Sequence, residues 1–332
     1  MRRLAGFRRF RLSSTCNKPL SNMERRNFLR QMGCLTTVAS LANLNASLAL
    51  AQHNTAQSFP LAIFSKVFKN HSFDQLADSV VEMDADGVEA TIRDGGHIEP
   101  NKAESQVPEL VAALTKRNKR LLIAASDINA TGPDSVRLLK TLRENGVTHY
   151  RMGYYKYRSG TSMLDQARAF AAKAKELADL NRELGMTGLY QNHFGNGYVG
   201  NLLWDLAIVM EGISPDVMGI AIDLRHLRAE ISGSYQSALD SVRANLSSVY
   251  LKDTRRIGES RAGDTRDMLD DVPLGEGMVN RELFRNAWQS LNPVPLSVHV
   301  EYFGQNPIAP DKIGPIVEAY KRDVATLRSW MA

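Results

Sequence analysis

Eight times between residue 59 and the C-terminus, a short apolar run rich in β-branched residues gives way to a stretch of helical periodicity, and few folds accept that rhythm. The apolar runs cover residues 61–68, 87–93, 120–127, 149–155, 187–193, 219–225, 248–253 and 296–302. Residues 73–83, 107–117, 134–145, 164–184, 202–210, 235–245, 282–291 and 312–330 carry helix-favouring residues at helical spacing, most clearly 164–184. Apolar strands alternating with helices belong to parallel sheets covered on both faces. Eight such units in about 275 residues predict an α/β fold, a single-domain (β/α)8 TIM barrel. One irregular stretch, 254–280, follows the seventh run and contains Gly258, Gly263, Gly275 and Gly277, where a barrel enzyme keeps substrate loops.

The first 51 residues stand outside this rhythm and are predicted to be a leader, which leaves 52–332 for the barrel. Arg25-Arg26-Asn27-Phe28-Leu29-Arg30 is a twin-arginine pair followed by apolar residues, and no charge occurs from Gln31 to Ala51. Ala49-Leu50-Ala51 supplies the small-x-small site that a signal peptidase cuts before Gln52. Met23 stands just ahead of the pair, so residues 1–22 are expected to be an over-extended start. The apolar part is too short and too polar to span a bilayer, and Cys34 precedes it, which argues against a lipid anchor. Export of folded protein to the periplasm by the twin-arginine (Tat) machinery is the expectation, with no stable membrane insertion.

The net charge of +5 invites an anionic partner until the charges are located. Arg2, Arg3, Arg8, Arg9, Arg11, Lys18, Arg25, Arg26 and Arg30, with Glu24, all lie in the leader. Taking these nine and one from 41 basic and 36 acidic residues leaves 32 against 35, a net charge of −3, so no nucleic-acid partner is expected. Both cysteines, Cys16 and Cys34, also precede the cleavage site, which excludes disulfides and thiolate metal sites from the processed chain.

Catalytic residues of such barrels gather at the C-terminal ends of the strands, and those ends are unusually polar here. The second run leads from Glu89 to Arg93 and on to His97. The fifth ends Tyr190-Gln191-Asn192-His193, the sixth Asp223-Leu224-Arg225-His226, the seventh Tyr250-Leu251-Lys252-Asp253 and the eighth His299-Val300-Glu301. Strand side chains alternate with a period of two, so Glu89 shares a face with Arg93, Gln191 with His193, Asp223 with Arg225, Tyr250 with Lys252 and His299 with Glu301. Singly, each is as well read as a cap or a satisfied core group; five pairs sent in one direction read as a site. Glu99 and the acids of 259–271 read as solvated loop charge.

Six motifs in order carry a likeness: Gly87-Val88-Glu89, Tyr190-Gln191-Asn192-His193, Ile222-Asp223-Leu224-Arg225-His226, Val249-Tyr250-Leu251-Lys252-Asp253, Pro273-Leu274-Gly275-Glu276-Gly277 and Ser297-Val298-His299-Val300-Glu301. Across nearly the whole processed chain they resemble the sugar phosphate isomerase/epimerase family with its xylose isomerase-like barrel. The resemblance implies a divalent cation, Mn²⁺, Mg²⁺ or Zn²⁺, held by glutamate, aspartate, histidine and glutamate from strands five to eight. Asp223 and Glu301 match two of those positions, whereas Gln191 stands for the first glutamate and Tyr250 for the histidine. An amide and a phenol are poor ligands for a hard cation, so weak or no metal binding is expected, with the alternative that His193 or His226 helps hold the cation.

The resemblance further implies proton abstraction beside a carbonyl of a sugar or sugar derivative. Such chemistry needs a base, an acid and positive charge at the developing enediolate. Glu301 or Glu89 is read as base, Lys252 and Arg93 as fixed cations, and His193 or His226 as proton donor or relay. His97, Gln191, Arg225, His226, Glu276 and His299 are read as substrate-binding. Two alternatives stay open: elimination from a 3-keto-glycoside on the same barrel, and a degenerate barrel that binds carbohydrate without chemistry.

Overall fold

The computed structural model describes residues 59–332 apart from 232, 259–267, 290, 293 and 305, so the leader with its arginine pair and cleavage site lies outside the described residues. Ten strands follow in order: β1 (Leu61–Phe64), β2 (Gly87–Thr91), β3 (Arg120–Ala125), β4 (His149–Arg151), β5 (Thr187–Gln191), β6 (Met218–Asp223), β7 (Leu246–Leu251), β8 (Asp253–Arg256), β9 (Leu269–Val272) and β10 (Leu296–Val298). Eight of them close into a parallel barrel in the order β1 to β7, then β10, which pairs back onto β1. At this seam Leu61 lies opposite Leu296 and Ile63 opposite Val298. The predicted (β/α)8 barrel is the fold observed.

The described helices are α1 (Phe73–Glu82), α2 (Ala103–Thr115), α3 (Pro133–Glu144), α4 (Met163–Leu184), α5 (Trp204–Val209), α6 (Leu224–Glu230), α7 (Tyr235–Val242), α8 (Arg281–Trp288) and α9 (Gly314–Met331). Their starts obey local chemistry. Ser72 and Gln75 form a reciprocal capping box on α1 at 3.2 and 2.9 Å. Ser162 caps α4, which ends at Gly185 in the left-handed conformation, φ 64°. Leu76, Ala77 and Val80 of α1 are fully buried, and each large aliphatic side chain so covered contributes about 1.5–3 kcal/mol.

Strands expected over 149–155 and 296–302 end early, at Arg151 and Val298, and three further departures from the sequence expectation shape the barrel mouth. Strand 61–68 stops at Phe64, because Ser65 turns inward, accepts the Thr91 N–H at 3.1 Å and opens a 3₁₀ turn, Ser65–Phe68. Arg225 is helical, since the Asp223 carboxylate accepts the His226 N–H at 3.0 Å and caps α6 directly off β6. Within 254–280, β8 and β9 pair as an antiparallel hairpin.

Buried Asp253 explains the spacing of two motifs. Its carboxylate accepts the N–H groups of Thr254, Gly275, Gly277 and Val279 at 2.7, 3.0, 2.8 and 2.9 Å, which folds the 273–279 turn around the end of β7. A Cβ at Gly277 would overlap the Thr254 carbonyl and that same carboxylate.

Candidate active site

A cavity of about 300 Å³ opens at the C-terminal ends of the strands, with Lys66, Arg93, Arg151, Tyr154, Gln191, His193, Arg225, His226, Lys252 and Glu301 in its wall beside Phe64 and Phe194. A larger cavity of about 630 Å³ lies at the opposite end among His149, Thr187, Ser247 and their neighbours, where barrel residues serve stability rather than chemistry. We therefore assign the site to the smaller one, where the titratable groups converge.

Its floor is a chain of polar contacts that runs round the barrel mouth. From the last strand, the Ser297 hydroxyl and His299 Nε2, at 2.9 Å, both donate to Glu89 Oε2 on β2. The Arg151 guanidinium on β4 faces Glu89 Oε1 at 3.2 Å and donates to Gln191 Oε1 at 2.9 Å. Tyr154 donates to the same amide oxygen at 2.6 Å. Gln191 then donates from Nε2 to Asp223 Oδ2 at 2.7 Å, and the Lys252 ammonium sits 3.3 Å from that oxygen and 3.0 Å from Glu301 Oε2. Asn192 stiffens the join by accepting the Asp223 N–H at 2.6 Å, as a strand partner would.

The charges are fixed by their neighbours. Burial alone would raise the Glu89 carboxyl, yet Arg151 and His299 outweigh it and hold it at about 2. Glu301 is likewise held at about 2 because Lys252 and His299 overcome its burial. Burial pushes the Lys252 ammonium down, but Asp223 and Glu301 more than compensate, so it stays protonated. His193 is lowered to about 4 by burial. Its Nδ1 donates to the Phe194 carbonyl at 2.8 Å, which leaves the lone pair on Nε2. His226 packs against His193 with ring centroids 4.2 Å apart and a tilt of 37°, and is pushed well below the usual range by burial and by Lys252. Its Nε2 comes within 3.5 Å of Asp223 Oδ2 without meeting hydrogen-bond geometry.

Of the residues expected at the site, Arg93, Gln191, His193, Arg225, His226, Lys252 and Glu301 meet in the cavity wall, and Asp223 joins them through Lys252. Glu89 and His299 lie beneath it, 0% and 1% exposed, and Glu89 faces Arg151 there rather than the cavity. His97 does not arrive: its Nε2 faces the His71 carbonyl at 2.8 Å and its ring packs on Phe73. Glu276 stays on the outer turn, 3.7 Å from Arg322. Asp271, expected as solvated charge, accepts from Arg225 at 2.8 Å and clamps the hairpin to the cavity wall.

Sequence reasoning missed Lys66, Arg151 and Tyr154. Arg151 had a signal, a charged residue inside an apolar strand run. Lys66, inside the run 61–68, carried the same signal, and it reaches the cavity from a 3₁₀ turn where a strand was expected.

The donor set does not fit a divalent cation. Asp223 Oδ2 and Glu301 Oε2 are both engaged by the Lys252 ammonium, and Gln191 turns its N–H toward Asp223. Tyr250, at the histidine position, is fully buried, and its hydroxyl is pushed well above 10 chiefly by that burial and by Glu89. Among the described residues no three His, Cys, Asp or Glu side chains group as a metal site.

Residues 77–330 match the Xylose isomerase-like TIM barrel family. No protein of curated function matches the sequence. Solved structures share the fold. A xylose isomerase-like TIM barrel protein from Mycobacterium smegmatis in complex with magnesium is 14% identical, with a TM-score of 0.60 over 83% of this chain and 99% of that one. A probable 3-DHS dehydratase involved in petrobactin synthesis from Bacillus anthracis is 13% identical, with a TM-score of 0.59 over 81% and 98%. A 3-keto-D-glucoside 4-epimerase from E. coli is 17% identical, with a TM-score of 0.56 over 82% and 100%.

Proposed function

Because the chain belongs to the Xylose isomerase-like TIM barrel family and its barrel mouth sets proton acceptors beside fixed cations, we propose that it is an exported isomerase or epimerase acting beside a carbonyl of a sugar or sugar derivative. The observation that carries this reading is Lys252, held at 3.0 Å from Glu301 on the cavity wall. The leader's twin-arginine pair supports export by the Tat machinery to the periplasm.

Glu301 or His193 Nε2 removes the proton on the carbon next to the carbonyl; the C–H electron pair becomes the new carbon–carbon double bond and the carbonyl π pair moves onto the oxygen. Lys252 and Arg93 meet the enediolate charge so formed. As Lys252 turns its N–H groups toward that oxygen, Glu301 loses part of the interaction that depresses its basicity, so base strength rises as the transition state needs it. Returning the proton to the other face of the same carbon gives epimerisation; returning it to the former carbonyl carbon, with the hydroxyl proton passing from one oxygen to the other, gives isomerisation. Loss of a β-substituent from the same enediolate would make the enzyme a lyase. The cavity of about 300 Å³ accommodates a single sugar ring.

Incubating the processed protein with free, phosphorylated and 3-keto sugars in D₂O, followed by NMR, tests this. The expected result is deuterium at the carbon beside the carbonyl. Absence of exchange with every sugar would overturn the reading, and saturable sugar binding without exchange would make the barrel a carbohydrate-binding protein.

A further inference from the structure

The two carboxylates best placed to hold a cation already hold one. Lys252, 6% exposed, puts its ammonium between Asp223 Oδ2 and Glu301 Oε2 at 3.3 and 3.0 Å. The rest of the mouth is arranged for that occupant. Arg151 and Tyr154 both claim Gln191 Oε1, so the amide must present its N–H to Asp223, a donor where a metal ligand would need a lone pair. A glutamate at this position would set a second anion about 2.7 Å from Asp223 Oδ2. Two carboxylates that close cannot both ionise beside a single positive charge, whereas a divalent ion would balance them. Ammonium at 252 and amide at 191 are therefore matched: one charge fewer on the cation, one fewer among its neighbours.

We infer that Lys252 is a covalently built-in replacement for a divalent cation, and that Gln191 is the positioning residue that makes the replacement possible. The cation of this barrel is encoded in the chain and does not depend on metal supply. Arg93, Arg151 and Arg225 in the same wall add to the electrostatic cost of admitting a second cation.

The test is Mn²⁺ occupancy, which is read without reference to turnover, so its result stands apart from the proposed sugar chemistry. Free Mn²⁺ is followed by EPR during titration of the processed wild type, of Lys252→Met, and of Gln191→Glu combined with Lys252→Met. The wild type is expected to show no saturable binding and no change in melting temperature with chelator. The double variant gathers carboxylates at 191, 223 and 301 near His226 and is expected to bind at least about tenfold tighter than the wild type. One tightly held Mn²⁺ per wild-type chain, with Lys252 intact, would overturn the inference. So would a double variant that is folded by circular dichroism yet gains no affinity. The wild-type titration decides alone if the variants do not fold.

Discussion

Gln191 donates to Asp223 at 2.7 Å and accepts from Arg151 at 2.9 Å, so its amide joins a buried cation on the preceding strand to a buried anion on the following one. That polarity fixes the amide orientation, since reversing it would aim Oε1 at a carboxylate and Nε2 at a guanidinium. It also makes the barrel mouth one connected network, in which a change at one strand end reaches the next.

Lys252→Met should reduce kcat/KM by about 10²–10³, the loss typical of removing one oxyanion donor. The variant also leaves Asp223 and Glu301 without their shared partner, at a cost of about 3–5 kcal/mol in stability. Steady-state kinetics with urea denaturation of the same preparation measures both, and wild-type turnover would remove Lys252 from the mechanism.

Glu89→Gln separates support from chemistry. Glu89 does not reach the cavity, so the variant should lose about 3–5 kcal/mol by stranding Arg151, with activity falling through displacement of that residue. Ser297→Ala removes one hydrogen bond to the same carboxylate and should cost about 1–3 kcal/mol. A Glu89→Gln protein with unchanged melting temperature but no turnover would instead restore Glu89 as the base.

The pH profile has a defined sign. His193 and His149, lowered to about 4 from an ordinary 6.5, bind their protons more readily in the unfolded chain, so their contribution is intact above 6.5 and falls as pH drops toward 4. Glu89 and Glu301, held at about 2 against 4.5, contribute above 4.5 and lose that contribution as pH falls toward 2. Stability should therefore decline continuously on acidification from about pH 6.5, and His193→Gln should flatten the first part of the decline. Denaturation midpoints at a series of pH values give the slope directly. If His193 is the base, the acid limb of kcat/KM lies near 4 rather than 6.5.

Export is tested at the leader. Replacing Arg25 and Arg26 together by Lys should trap precursor in the cytoplasm, and sequencing of the periplasmic wild type should begin near Gln52. Equal periplasmic amounts of both proteins would refute the twin-arginine route.

The barrel was legible because parallel strands buried on both faces leave continuous apolar runs, which helices of period 3.6 interrupt. The strand ends were legible in kind, and less so in depth. Period-two alternation puts Glu89 and Arg93 on one face, but it does not tell which lies under the mouth and which in its wall; the seal over Glu89 comes from Arg151, Ser297 and His299 on other strands. His97 and Glu276 stand away from the cavity because a loop's path is set by tertiary contacts, here His71 with Phe73 and Arg322. Asp271 was missed for the same reason, its partner Arg225 being 46 residues away.

The seam between β1 and β10 gives the protein a calendar as well as a shape. Glu89 and Ser297 are separated by 208 positions, and Tyr320 reaches back across 256 to the Phe64 carbonyl at 2.8 Å. The charged network cannot assemble on a nascent chain whose last strand is still in the ribosome, and closing so long a loop precedes the contacts that reward it. Until release, Arg151 has no sealed carboxylate beside it and the mouth has no floor. Maturation of the site is thus a terminal event of synthesis, and a chain truncated before residue 296 would lack Ser297, His299 and Glu301 and leave β1 and β7 without the strand that joins them.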